Sequence, residues 1–270
     1  MYYYRAFDLN FSADLLIPEF LPLSHRPQNI DIQISGATLE KSEDHAIFSF
    51  EVPQIANFKI QAGQHISYQI YPGVTPETLR LFLLGSCMGA LLQQRGYIVL
   101  HGNAVSMDKK SASIFLGESG AGKSTLAAWY IKKNHYFLAD DVCAIKLDEN
   151  NLPCIIPAYP QIKLWQKSAD LLNIETKNLR RIRPEEEKFS LILRDQFCTQ
   201  SLPIKEIVEI NHLEENCSET LTGHNKFLCL LKNIYRYSFL VEQNLMSTHN
   251  KKLLDLASKV LVRKESRYEM

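Results

Sequence analysis

The chain has 270 residues, enough for one large α/β domain or a core domain with a smaller companion. Lysine plus arginine and aspartate plus glutamate stand at 30 each, so the formal net charge is zero. That balance argues against a nucleic-acid partner, which selects a basic excess, and no run of like charge suggests a membrane partner or an acidic tail. The six cysteines, Cys87, Cys143, Cys154, Cys198, Cys217 and Cys229, form no CxxC pair and no metal-ligand spacing. Most sit in or near apolar runs and are expected as buried free thiols; Cys217, among polar residues, is the exception. The first residues lack the charged head and apolar run of a secretory signal, so a cytoplasmic location is expected.

In chain order, residues 30–35, 46–52, 58–60 and 65–71 carry the two-residue alternation of half-buried strands. They predict an antiparallel, β-rich lobe over residues 1–74, with a core over 75–270. Residues 79–92 are the most apolar stretch, contain Arg80 and are too short to span a bilayer. With Thr75 as N-cap, Pro76 at the first helical position and Gly96 at the stop, they predict a core helix. A strand ending near His101 follows, then a polar turn, then a strand over 113–116.

Residues 117–125, GESGAGKST, match G-x4-G-K-[ST] in full. An apolar strand precedes them and a helical run follows, which is the setting the phosphate-binding loop requires. Gly117, Gly120 and Gly122 allow sharp turning and close approach to phosphate. Glu118, Ser119, Ala121 and Thr125 complete the loop and its helix start. Backbone N–H groups and the helix N-terminus make an anion site, Lys123 is expected on the β and γ phosphates of ATP, and Ser124 on Mg²⁺.

The next strand, 136–139, ends at Asp140-Asp141. If it neighbours the loop strand in a parallel sheet, both carboxylates reach the γ-phosphate region, although alternation allows only one to face it directly. One acid suits a general base and the other a metal ligand. His101 enters the same crevice if its strand lies beside the loop strand, where it tunes an aspartate. Past Leu147 short strands and helices alternate, with a strand over 206–210 and helices over 226–235 and 251–262.

Three segments, LHGNA at 100–104, the loop at 117–125 and NHYFLADDV at 134–142, together resemble the HPr kinase/phosphorylase superfamily. YPQIKLW at 159–165 extends the likeness to HPr-kinase-like proteins of peptide-modification gene clusters, and the amino-terminal lobe resembles the short β-rich kind found in lasso-peptide clusters. The resemblance implies an α/β fold with a P-loop core of the HPr kinase/phosphoenolpyruvate carboxykinase type and a small β-rich N-terminal lobe. It also implies transfer of the ATP γ-phosphate to a Ser or Thr hydroxyl of a peptide or protein, a ribosomal precursor peptide among the candidates. Asp140 is then the base, with Asp141, His101 and Lys123 catalytic beside it and Ser124 and Asp141 on Mg²⁺. The glycine-rich signature that follows the core in true HPr kinase/phosphorylases is missing, so the resemblance implies neither phosphorolysis nor HPr as substrate. A homo-oligomer is left open.

Arg180, Arg181, Arg183, Lys188 and Lys163 are further candidates for stabilising transferred charge, against the plainer reading of a solvated loop. Trp165 and Tyr159 are expected in the core. A small-molecule kinase and a nucleotide-gated binding module without transferase activity are the alternatives.

Overall fold

A computed structural model describes residues 1–40, 46–183, 185–211 and 218–266. Cys217 and Pro184 lie outside them, and the five other cysteines are free and buried. The chain is a mixed α/β structure with two seven-stranded sheets and a three-stranded one.

The first sheet holds β1 (Tyr2–Ala6), β2 (Leu9–Ala13), β3 (Leu21–Pro22), β4 (Ile32–Gly36), β5 (Ile47–Val52), β6 (Ala56–Gln61) and β7 (His65–Ile70), in the order β3-β1-β2-β4-β7-β6-β5. It is not purely antiparallel, as alternation alone suggested: β2–β4 and β4–β7 pair in parallel. Alternation fixes which face a side chain takes, not strand direction. The chain between each parallel pair is long enough to return and start again from the same end.

Next come α1 (Pro76–Phe82), a π-helical turn (Leu83–Cys87) and α2 (Met88–Gln94). Thr75 caps α1, accepting the N–H of Thr78, and Pro76 opens it. Gly96 follows the helix with φ 80, as expected of a stop. The π turn interrupts what the sequence suggested as one helix. It lies where Gly85 and Gly89 face Tyr235, whose ring a Cβ on Gly89 would meet at 2.6 Å.

The second sheet takes β8 (Ile98–Ser106), β9 (Ala112–Leu116), β10 (Tyr136–Leu147), β11 (Pro153–Ile156), β15 (Leu202–Asn211), β16 (Ser218–Thr220) and β17 (Leu261–Ser266). Its order is β11-β10-β8-β9-β15-β17-β16, and β11 also pairs with β15, so five of its strands close into a ring. Between β9 and β10 runs α3 (Lys123–Lys132). The small sheet is β12 (Gln161–Trp165), β14 (Lys188–Ile192) and β13 (Arg180–Arg181), with α4 (Gln166–Leu171) after β12.

The remaining helices are α5 (Gly223–Lys232), α6 (Tyr237–Glu242) and α7 (Met246–Lys259). Both expected C-terminal helices begin earlier than the apolar pattern indicated. Residues Leu261–Val262, expected at the end of the last helix, belong instead to β17, parallel to β15. Branched Val260 and Val262 are buried there, where an extended backbone packs them better than a helical one.

One buried cluster runs from Tyr4 and Phe11 through Leu91 and Leu100 to Leu256. A second, with Phe115, Leu126, Ile131 and Phe137, packs α3 against the sheet and the small sheet's Ile162 and Leu164. No described helix is long and apolar enough to cross a membrane.

Candidate active site

Residues 117–122 join β9 to α3. Gly117, Gly120 and Gly122 have φ of 139, 85 and 97, so each lies where a side chain is strained. At Gly117 space forbids a side chain too, because a Cβ would lie 2.5 Å from the carbonyl oxygen of Ile210 on β15. Lys123 is buried and folds over the loop, its Nζ donating to the carbonyls of Gly117 at 2.8 Å and Glu118 at 3.0 Å. Burial lowers the proton affinity of this ammonium, and Asp141 and Asp140 pull the other way. The Gly117 N–H donates to Asn233 Oδ1 at 3.3 Å. Asn233 Nδ2 in turn donates to Glu209 Oε1 at 3.1 Å and the Cys229 carbonyl at 2.8 Å. This brace on the loop comes from residues more than ninety positions downstream, which no local pattern announces.

The aspartates do not end their strand. β10 continues to Leu147, and His101 likewise lies inside β8 rather than at its end. Nor does β10 adjoin the loop strand: β8 runs between them, antiparallel to both. The register still places the pair beside the loop, because Asp141 opposes Gly102 and Gly102 opposes Leu116, the residue before Gly117. β8 thereby carries His101 and Asn103 into the gap. Alternation would send adjacent side chains to opposite faces. Asp141 takes φ 75, a left-handed conformation, and both carboxylates line one cavity.

Asp140 is 4% exposed. Its Oδ1 accepts from Asn103 Nδ2 at 2.5 Å and Ser124 Oγ at 3.1 Å, and its Oδ2 from the Lys163 N–H at 2.8 Å. Burial pushes its carboxyl above the ordinary range, with Lys163 opposing. Asp141 is more open; His101 Nδ1 lies 2.9 Å from its Oδ1 and Lys163 Nζ 3.2 Å from its Oδ2. Burial works against its charge, but Lys163 and His101 outweigh it and hold the carboxyl far below the ordinary range. The Lys163 ammonium is raised in return; burial opposes its charge, and Asp141, Tyr159 and Asp140 with Tyr235 together outweigh it.

These contacts run opposite to the expected division of labour. Ser124 meets Asp140, not Asp141, and the aspartate that His101 meets is Asp141. Ser124 Oγ and Asp140 offer hard oxygen donors of the kind Mg²⁺ takes, and Mg²⁺ usually keeps water and phosphate in its remaining positions. Among the described residues no group of three or more His, Cys, Asp or Glu side chains forms a protein-only metal cage.

The cavity at the loop measures ≈ 340 Å³ and is lined by Ser119, Gly120, Gly122, Lys123, Ser124 and Thr125 on the loop side. His101, Asn103, Asp140, Asp141 and Lys163 line the facing side. Two more clefts adjoin it. One of ≈ 530 Å³ passes Gly117, Glu118, Ser119 and residues 232–236; the other, of ≈ 230 Å³, lies between the π turn and Ile182, Arg183, Glu186 and Lys188. Asp141 lines all three, whereas Asp140 lines only the first. Ala121 is buried and lines none of them, and the Thr125 hydroxyl is 2.7 Å from that of Ser168.

The basic run divides by position. Lys163 and Lys188 line the loop cavity and Arg183 the smallest cleft. Arg180 instead pairs with buried Glu19, which also meets Arg80 Nε at 3.2 Å, and Arg181 lies over Phe189. Tyr159 is core, as expected, packed on Phe7 and Phe20. Trp165 is not core: it is 48% exposed at the cavity rim with Lys188 over its ring.

A strand, a glycine loop bearing the full G-x4-G-K-[ST] pattern and a helix, faced by two aspartates on a mixed α/β frame, define the class of site. No family model matches the sequence, and no curated protein matches it. Among solved structures, the Hpr(Ser) kinase/phosphatase from Coxiella burnetii is similar at 18% identity, over 59% of this chain and 94% of that one, with a TM-score of 0.30. A likeness of that size carries no weight for fold family or activity.

Proposed function

We propose that the protein is an ATP-dependent kinase whose acceptor is a Ser or Thr hydroxyl on a peptide or protein. One observation carries this reading: Lys123, Ser124, Asp140 and Asp141 converge on a single cavity, and Asp141 alone also lines both neighbouring clefts. A transferase needs a residue of this kind, reachable by donor and acceptor together. Two clefts leading to it suit an extended acceptor better than a closed metabolite pocket does.

Lys123 and the loop N–H groups would hold the β and γ phosphates. Ser124 and Asp140 would hold Mg²⁺, which supplies charge neutralisation on the transferred group. Asp141 fixes the imidazole of His101 through Nδ1, and Nε2 has no partner among the described residues. His101 in this pose would take the acceptor's proton as the acceptor oxygen bonds to the γ phosphorus. The bond from that phosphorus to the β–γ bridging oxygen breaks, and its electrons leave with ADP. Lys163 and Lys188 face the charge spread over the transferring oxygens.

Incubation with ATP labelled at the γ position and serine peptides tests this reading. Label on serine, lost in Asp141→Asn, supports it. Label on a metabolite alone points to a small-molecule kinase, and binding without transfer points to a gated module.

A further inference from the structure

Resting on the kinase reading, we infer that the two clefts form one track for an extended acidic peptide, with Arg236 reading a carboxylate next to the acceptor hydroxyl. The clefts share Asp141, Tyr235 and Arg236, so a chain entering by one and leaving by the other passes Asp141 at the junction. Tyr235 is buried beside His101, with ring centroids 5.9 Å apart, and forms a firm floor. Arg236 is exposed on the rim of both clefts.

The charge around the track is uneven. Lys232 is already matched by Glu209 at 2.7 Å and Arg183 by Glu186 at 3.4 Å. Arg236 stands over the rings of Tyr235 and Phe239 and has no carboxylate partner among the described residues. It does not line the loop cavity, so the nucleotide's phosphates do not account for it. A guanidinium in this position selects a planar carboxylate by paired hydrogen bonds. The half-buried apolar groups Leu81, Phe82 and Ile182 in the smaller cleft suit an aliphatic neighbour on the same peptide.

The test is fluorescence anisotropy of labelled short peptides, each with a central serine flanked by Asp and Glu, by Ala or by Lys, added to the full chain without nucleotide. MgATP binding is titrated separately, so failure of the nucleotide reading is visible apart from failure of the track. The acidic peptide is expected to bind about tenfold more tightly than the Ala peptide, with the difference shrinking as salt rises. Arg236→Glu should reverse the order in favour of the Lys peptide, and Arg236→Gln should abolish the preference. Circular dichroism of both variants checks that they fold. Equal affinity for all three peptides, or an acidic preference that survives both substitutions, overturns the inference.

Discussion

Asp141 takes a left-handed backbone in the middle of a 12-residue strand, a conformation that costs of order 1–3 kcal/mol at a non-glycine residue. The gain is that two consecutive carboxylates line one cavity from a strand whose pleat would separate them. Their contacts differ, so their variants should fail differently. Asp141→Asn is expected to cut transfer by about 10²–10⁴-fold while MgATP still binds, because it removes the partner that orients His101. Asp140→Asn should raise the Mg²⁺ concentration needed for half-maximal transfer. Initial rates across a magnesium series separate the two, and identical profiles would contradict the division. The loop and acid pair were legible in the sequence because their signal is local. Which acid meets Ser124 was not, because that depends on a backbone angle and on β8 lying between the strands. Asn103 was missed although a signal existed: it stands two residues after His101 on one strand, and so shares its face.

At the scale of elements, the loop is held from outside by Asn233 and Glu209, on segments that only the sheet's pairing brings near. Gly117→Ala places a Cβ 2.5 Å from a β15 carbonyl and strains φ 139. It should weaken MgATP binding and destabilise the fold by about 1–3 kcal/mol, read by calorimetry and urea unfolding. Normal ATP affinity in that variant would mean the loop has room to shift. The strand at Arg180–Arg181 is anchored separately. Glu19 is 2% exposed and binds both Arg80 of α1 and Arg180 of β13, tying the first sheet's chain to the strand that leads toward Arg183 and Lys188. Glu19→Ala leaves buried Arg80 without this partner and should cost about 3–5 kcal/mol in urea unfolding. A loss below about 1 kcal/mol would show the triad is spectator to stability. The charged run was visible in the sequence; its division between an anchor and cleft-lining cations was not, since a buried glutamate some 160 positions upstream decides it.

Across the whole molecule, strand faces were readable from alternation, whereas direction and neighbours were not. The 136–139 strand, expected beside the loop strand in a parallel sheet, is separated from it by antiparallel β8, and the parallel neighbour of β9 is β15. Acid should expose this long-range wiring. Glu209 on β15 is buried, which alone would raise its carboxyl, but Lys232 and Asn233 hold it below the ordinary value near 4.5. A depressed carboxylate adds stability that is present above the unfolded pKa and lost as pH falls through the folded one. Urea midpoints should therefore drop as pH falls below about 4.5, and Glu209→Gln should show a shallower drop. Equal slopes for both proteins would remove Glu209 from the account.

The claim on which the rest stands is that the loop and the acid pair hold a magnesium-bound triphosphate, and calorimetric titration of MgATP into the wild type, Lys123→Met and Asp140→Asn tests it most directly. Saturable binding to the wild type is predicted, lost in Lys123→Met and weakened in Asp140→Asn only when magnesium is present. A wild type that takes up no heat on ATP addition, or a Lys123→Met protein that binds as tightly, would contradict it.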